Sequence, residues 1–82
     1  MSIQEYFTQY LEGKGMGQPD IDSVLAVAKD SKLLEPMQNR WNDPVDGYPE
    51  STIAVASMSI KKIAKEWLQE HKPQAWYLPM FD

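Results

Sequence analysis

Pro49-Glu50-Ser51-Thr52-Ile53-Ala54-Val55-Ala56-Ser57-Met58-Ser59-Ile60-Lys61-Lys62-Ile63-Ala64-Lys65-Glu66-Trp67-Leu68-Gln69-Glu70-His71 is the longest helical pattern in the chain, and its reading decides the fold. Proline fits the opening of a helix, because the first N–H groups there have no intrahelical partner to lose. Ile53, Ala56, Ile60, Ile63, Ala64, Trp67 and Leu68 then return at intervals of three and four residues, which keeps one face apolar for about five turns. Val55 and Met58 widen that face in the first half. There the residues from Thr52 to Ser59 are small and weakly polar all round, a pattern that predicts near-complete enclosure by neighbours. Pro73 ends the helix.

The residues that follow, Pro73-Gln74-Ala75-Trp76-Tyr77-Leu78-Pro79-Met80-Phe81-Asp82, are dense in large apolar side chains. Left exposed, Trp76, Tyr77, Leu78, Met80 and Phe81 would form a contiguous apolar patch of a kind that soluble domains rarely carry outside a binding surface. At about 1.5 Å per residue the long helix measures about 33 Å, and ten extended residues reach about as far. The tail is therefore expected to pack back along the helix as the last structural layer.

Upstream, Ser2-Ile3-Gln4-Glu5 fits a capping box, and Ile3, Phe7, Tyr10 and Leu11 recur at helical spacing. Gly13, Gly15 and Gly17 end that pattern, so a first helix is expected over about Ile3 to Glu12. Pro19 opens a second helix with Ile21, Val24, Leu25 and Ala28 as its buried stripe. After a break near Asp30-Ser31, the residues Leu33, Leu34, Met37 and Trp41 form a third, short helical pattern that must begin close to Pro36. Asn42-Asp43-Pro44-Val45-Asp46-Gly47-Tyr48-Pro49 is a loop by its turn formers. Nothing alternates over enough residues for a sheet. The expected class is all-α: residues 1–82 as a single helical domain, a compact bundle of about four helices with an extended apolar tail returning over the longest.

The 82 residues carry a net charge of −4 and no cysteine. Disulfides and thiolate metal sites are thereby excluded, and an acidic surface works against nonspecific attraction to phosphate backbones or anionic lipid. No apolar run spans a membrane, and Met1-Ser2-Ile3-Gln4-Glu5 lacks the basic-then-apolar order of a secretory signal, so a cytoplasmic location is expected. Residues 1–50 hold nine acidic and four basic side chains against three and four in 51–82, or −5 against +1. The two parts should attract each other.

Few patterns carry chemistry. Asn42 to Gly47 fails as a calcium loop, since Pro44 occupies the third position and Ile53 the twelfth, where a bidentate carboxylate is required. Arg40, Trp41, Asp43, Asp46 and Tyr48 nevertheless gather charge and aromatic surface on one loop and are the candidate partner-binding residues. His71, the sole histidine, lies where a cation complements the helix dipole; as a general acid or base it would have only Glu66, Glu70 and more distant carboxylates for company. Lys61, Lys65 and Lys72, with Lys62 beside them, line one side of the long helix, and the second and third helical patterns suggest a helix-turn-helix, yet Arg40 is the one cation between Leu33 and Trp41. Trp41, Trp67 and Trp76 sit on three segments, each expected to anchor its own element to a common centre.

The Trp41-Asn42-Asp43 turn, Tyr48-Pro49 before a helix, Trp67 near its end and the closing Pro73-Gln74-Ala75-Trp76-Tyr77-Leu78-Pro79-Met80-Phe81 together resemble small uncharacterised proteins encoded in phage and prophage genomes. The resemblance covers about the second half of the chain. It implies a mobile-element origin and supplies no catalytic residue. The expected function is that of a non-enzymatic protein-binding or adaptor protein, without catalytic, cofactor or metal residues, whose partner is a protein or a second copy of the chain. A nucleic-acid-binding regulator and a small His71-dependent enzyme are the alternatives.

Overall fold

The computed structural model describes residues 2–38, 41–43 and 49–81. In chain order these form α1 (Ile3–Gly13), α2 (Gln18–Lys29), a 3-10 turn (Lys32–Leu34), α3 (Glu35–Gln38), α4 (Glu50–His71) and a second 3-10 turn (Leu78–Phe81). The described residues contain helices and turns and no strand, as the all-α reading requires. The expected four helices become three long ones and a single α-turn. Pro36 has no N–H to bond the carbonyl of residue 32, which Glu35 takes instead, so the first 3-10 turn and α3 do not merge into one longer helix.

The free N–H groups of the first turn of α1, those of Ile3, Gln4 and Glu5, all find acceptors. The Ser2 hydroxyl accepts from the Glu5 N–H at 3.1 Å and the Ser2 carbonyl from Tyr6, while the carbonyls of Asp43 and Trp41 accept from Ile3 and Gln4 at 3.2 and 3.3 Å. Segment 41–43 is thus a backbone cap for the first helix. At the other end the Gly15 N–H donates to Glu12 and the Met16 N–H to Leu11, which together make a Schellman motif, with Met16 and Leu11 both buried as its apolar contact.

Ile3, Phe7 and Leu11 of α1, Ile21, Val24, Leu25 and Ala28 of α2, and Ala56, Ile60, Ile63, Ala64 and Leu68 of α4 meet in one core. Leu34, Met37 and Trp41 close it beneath the first 3-10 turn. The hydroxyls of Tyr6 and Ser57 are hydrogen-bonded to each other and tie α1 to the first half of α4.

Two expectations need correction. The first half of α4 is not enclosed: Val55 is 53% and Met58 71% exposed. At about 100° per residue both stand on the side of the helix opposite Ile60 and Ala64, and the other helices cover only one side. Nor is the tail extended. Turns follow α4 at residues 73–74 and 76–77, the Ala75, Leu78 and Met80 N–H groups bond carbonyls three residues back, and the chain closes into the 3-10 turn. Such winding satisfies backbone groups that packing withdraws from water, but at about 2 Å per residue it shortens the reach. Tyr77 and Phe81 are buried, whereas Trp76 is 72% exposed and Met80 about half exposed, so Trp41 is a core anchor, Trp67 is partly buried at the core's edge, and Trp76 lies outside it.

Gly15, with φ of +99°, is the left-handed residue that closes α1, and a Cβ built there lies 2.7 Å from the Trp76 ring and 3.3 Å from the Tyr77 Cβ. Gly13, inside α1, faces open space. Gly15→Ala is expected to lower unfolding free energy by at least about 1–2 kcal/mol through backbone strain and displacement of the tail. Gly13→Ala should instead raise it by about 0.5–1 kcal/mol. Urea denaturation of both variants checks the pair.

Candidate functional site

Of the five residues expected to bind a partner, Trp41 and Asp43 lie among the described residues, while Arg40, Asp46 and Tyr48 lie outside them. The structure brings Trp41 and Asp43 together at the N-terminus of α1. Trp41 is buried, its ring centroid 5.8 Å from that of Phe7 in a tilted contact, and Asp43 is half-buried. Their carbonyls cap the helix, so a structural task accounts for the described part of this loop.

His71 lies at the exposed end of α4, its ring 5.0 Å from that of Trp67 one turn back. A shallow depression beside it is lined by Val27, Leu33, Ile63, Trp67, Glu66 and Glu70 among others. A histidine in tilted contact with an indole at a helix end explains the position without chemistry. Among the described residues no group of three or more His, Cys, Asp or Glu side chains is placed to hold a metal ion, and no helix is long and apolar enough to cross a membrane.

Of the lysines on α4, Lys72 is taken up by the fold: its Nζ lies 2.8 Å from one carboxylate oxygen of Asp20 and 3.1 Å from the other. Tyr77 donates its hydroxyl to the same carboxylate at 2.7 Å. This is one point at which the acidic first part of the chain meets the basic second part. The Lys72 and Tyr77 hydrogen bonds hold the Asp20 carboxyl below its ordinary range. Burial, and then the bond to Asp20, push the Tyr77 phenol up to about 12. Lys61 and Lys62, by contrast, form no ion pair with a described residue. The helix-turn-helix alternative needs a recognition helix after α2, and the chain there forms a 3-10 turn and one α-turn.

The outer side of α4 is more distinctive. Val55 and Met58 project from it, and Leu33, 44% exposed on the first 3-10 turn, joins them in a shallow groove completed by Ser59 and Lys62. Val27 extends the apolar surface beyond Leu33. Beyond Met58 the surface meets Lys61, Lys62, Lys65 and the edge of Phe81. Sequence reasoning assigned Val55 and Met58 to the buried stripe. The available signal was spacing: Ser51, Val55, Met58 and Lys62 are separated by four, three and four residues, a second seam on the opposite side from Ile53, Ala56, Ile60 and Ala64.

Compared with known protein families, curated proteins and solved structures, the chain matches none.

The Asp20–Tyr77 bond has a pH signature. Asp20, with a depressed folded pKa, contributes stability above the unfolded aspartate value that is lost as pH falls through the lower folded one. Tyr77, with a raised pKa, contributes below its ordinary value of 10.0 and loses that contribution as pH rises toward about 12. Tyr77→Phe is expected to cost about 1–2 kcal/mol at neutral pH. The gap between parent and variant should close between pH 10 and 12, which unfolding free energies measured across that range will show.

Proposed function

We propose that this chain is a small non-enzymatic binding protein that acts through contacts with a protein, and that its docking surface is the outer face of α4 together with Leu33. One observation carries the reading: Leu33, Val55 and Met58 form a contiguous exposed apolar surface on the side of α4 turned away from the core. Solvated helix faces are ordinarily polar, and contiguous apolar patches on small soluble domains mark interaction sites. The lysines beside it supply a polar rim that orients a partner without adding to the core of the contact. On this reading the surface differs from segment 41–43, whose carbonyls already cap α1. The mobile-element origin implied by the second half of the sequence accords with a factor that works by occupying another protein's surface.

A photo-crosslinking residue at position 58, compared with one at the exposed Gln69, tests the reading in cells that express the chain. Protein adducts are expected at position 58 and not at 69. Equal labelling at both positions, or none at either, contradicts it. His71→Ala is expected to leave adduct formation at 58 unchanged, whereas a catalytic role for His71 predicts loss of a turnover that this surface does not require.

A further inference from the structure

The seam on the outer side of α4 is self-complementary. Ser51, Val55, Met58 and Lys62 follow the four-three-four spacing that brings one helix into lengthwise contact with another. Its centre is apolar, and its first half carries Ser51 and Ala54, whose small side chains allow close approach. Glu50 and Lys61 lie on one flank of this seam, eleven residues or about three turns apart, so they stand nearly in line along the helix. Neither forms an ion pair with a described residue. Glu50 is exposed, and Lys61 is partly exposed beside Phe81.

We propose that the outer face of α4 pairs antiparallel with the same face of a second copy of this chain, about a two-fold axis between Val55 and Met58. A two-fold axis reverses the second helix, so Met58 of each copy meets the Val55 region of the other, and a residue on one flank meets the same flank of its partner. Glu50 at the start of one helix then lies opposite Lys61 of the other, and the axis generates that pair twice. A parallel arrangement would instead set this flank against the opposite flank of the partner, so that Glu50 and Lys61 would not meet each other across the seam. Opposite charges at the two ends of an apolar seam thus select the antiparallel register, as flanking charges do in helical pairs generally. The seam from Ser51 to Lys62 spans about three turns, but its apolar centre, Val55 and Met58, covers only about one, far less than a permanent dimer interface of about 800 Å² per partner demands, so the association is a weak and reversible one.

This inference rests on the reading of the α4 face as a protein-binding surface and names the partner. Sedimentation velocity on the complete chain, from low micromolar to millimolar concentration, is expected to show a monomer passing to a dimer. Met58→Asp, at a site exposed enough for folding to be retained, should remain monomeric throughout with its circular dichroism unchanged. Glu50→Lys alone and Lys61→Glu alone, each placing like charges opposite one another twice, should weaken dimerisation about tenfold, and the double variant should return it to within about twofold of the parent. A chain that stays monomeric at millimolar concentration, a dimer indifferent to Met58→Asp, or a double variant no better than the single ones overturns the proposal. Monomer together with adducts of a different protein at position 58 overturns the dimer and leaves the binding surface standing. Monomer without such adducts overturns both.

Discussion

The closing residues are held by a bond that spans most of the chain: the Tyr77 hydroxyl donates to the carboxylate of Asp20, which also receives Lys72 from the end of α4. Three elements converge on that carboxylate. It fixes the start of α2, the last turn of α4 and the first winding of the tail relative to one another. Around it, Gly15 lets the Trp76 ring lie against the turn between α1 and α2, where any side chain would intrude. A few residues further on, Phe81 enters the core. Burial of a large aromatic is worth about 1.5–3 kcal/mol, so the two buried tail aromatics contribute on the scale of a small domain's whole stability.

How the tail is wound also determines what it leaves open. An extended tail would run the length of α4 and cover Val55 and Met58. Wound into turns and a 3-10 segment, it has come only as far as Lys61 and Lys65 at Phe81, which lies at the margin of Met58. The first half of α4 is therefore covered on its inner side by the core and left uncovered at Val55 and Met58. Structure and proposed function are linked there: the same residues that complete the core by compact winding fail to shield the outer seam.

Much of the helical framework was legible in the sequence. The spacing of Ile21, Val24, Leu25 and Ala28, the serine cap at Ser2, the glycine stop after α1 and the proline limits of α4 all express local rules that tertiary packing did not override. Side-chain fate was less legible where two seams share one helix. Val55 and Met58 have the same chemistry as the residues on the buried line, and only their angular position separates them. The tail posed a similar difficulty, since its composition demanded burial but could not apportion it: Tyr77 and Phe81 turn inward while Trp76 and Met80 do not. The loop was harder still. Arg40, Trp41, Asp43, Asp46 and Tyr48 attracted attention by side-chain chemistry, yet at Trp41 and Asp43 the backbone carbonyls do the capping, and any residue type supplies those.

The central claim is that the tail is the last layer of the core, clasped at Asp20 and leaving Val55 and Met58 uncovered. Removal of residues 73–82 tests it most directly through urea unfolding of the shortened chain beside the complete one. The account predicts a loss of about 3–6 kcal/mol from the two buried aromatics, enough to leave the shortened chain largely unfolded at neutral pH. An unchanged unfolding midpoint would contradict it.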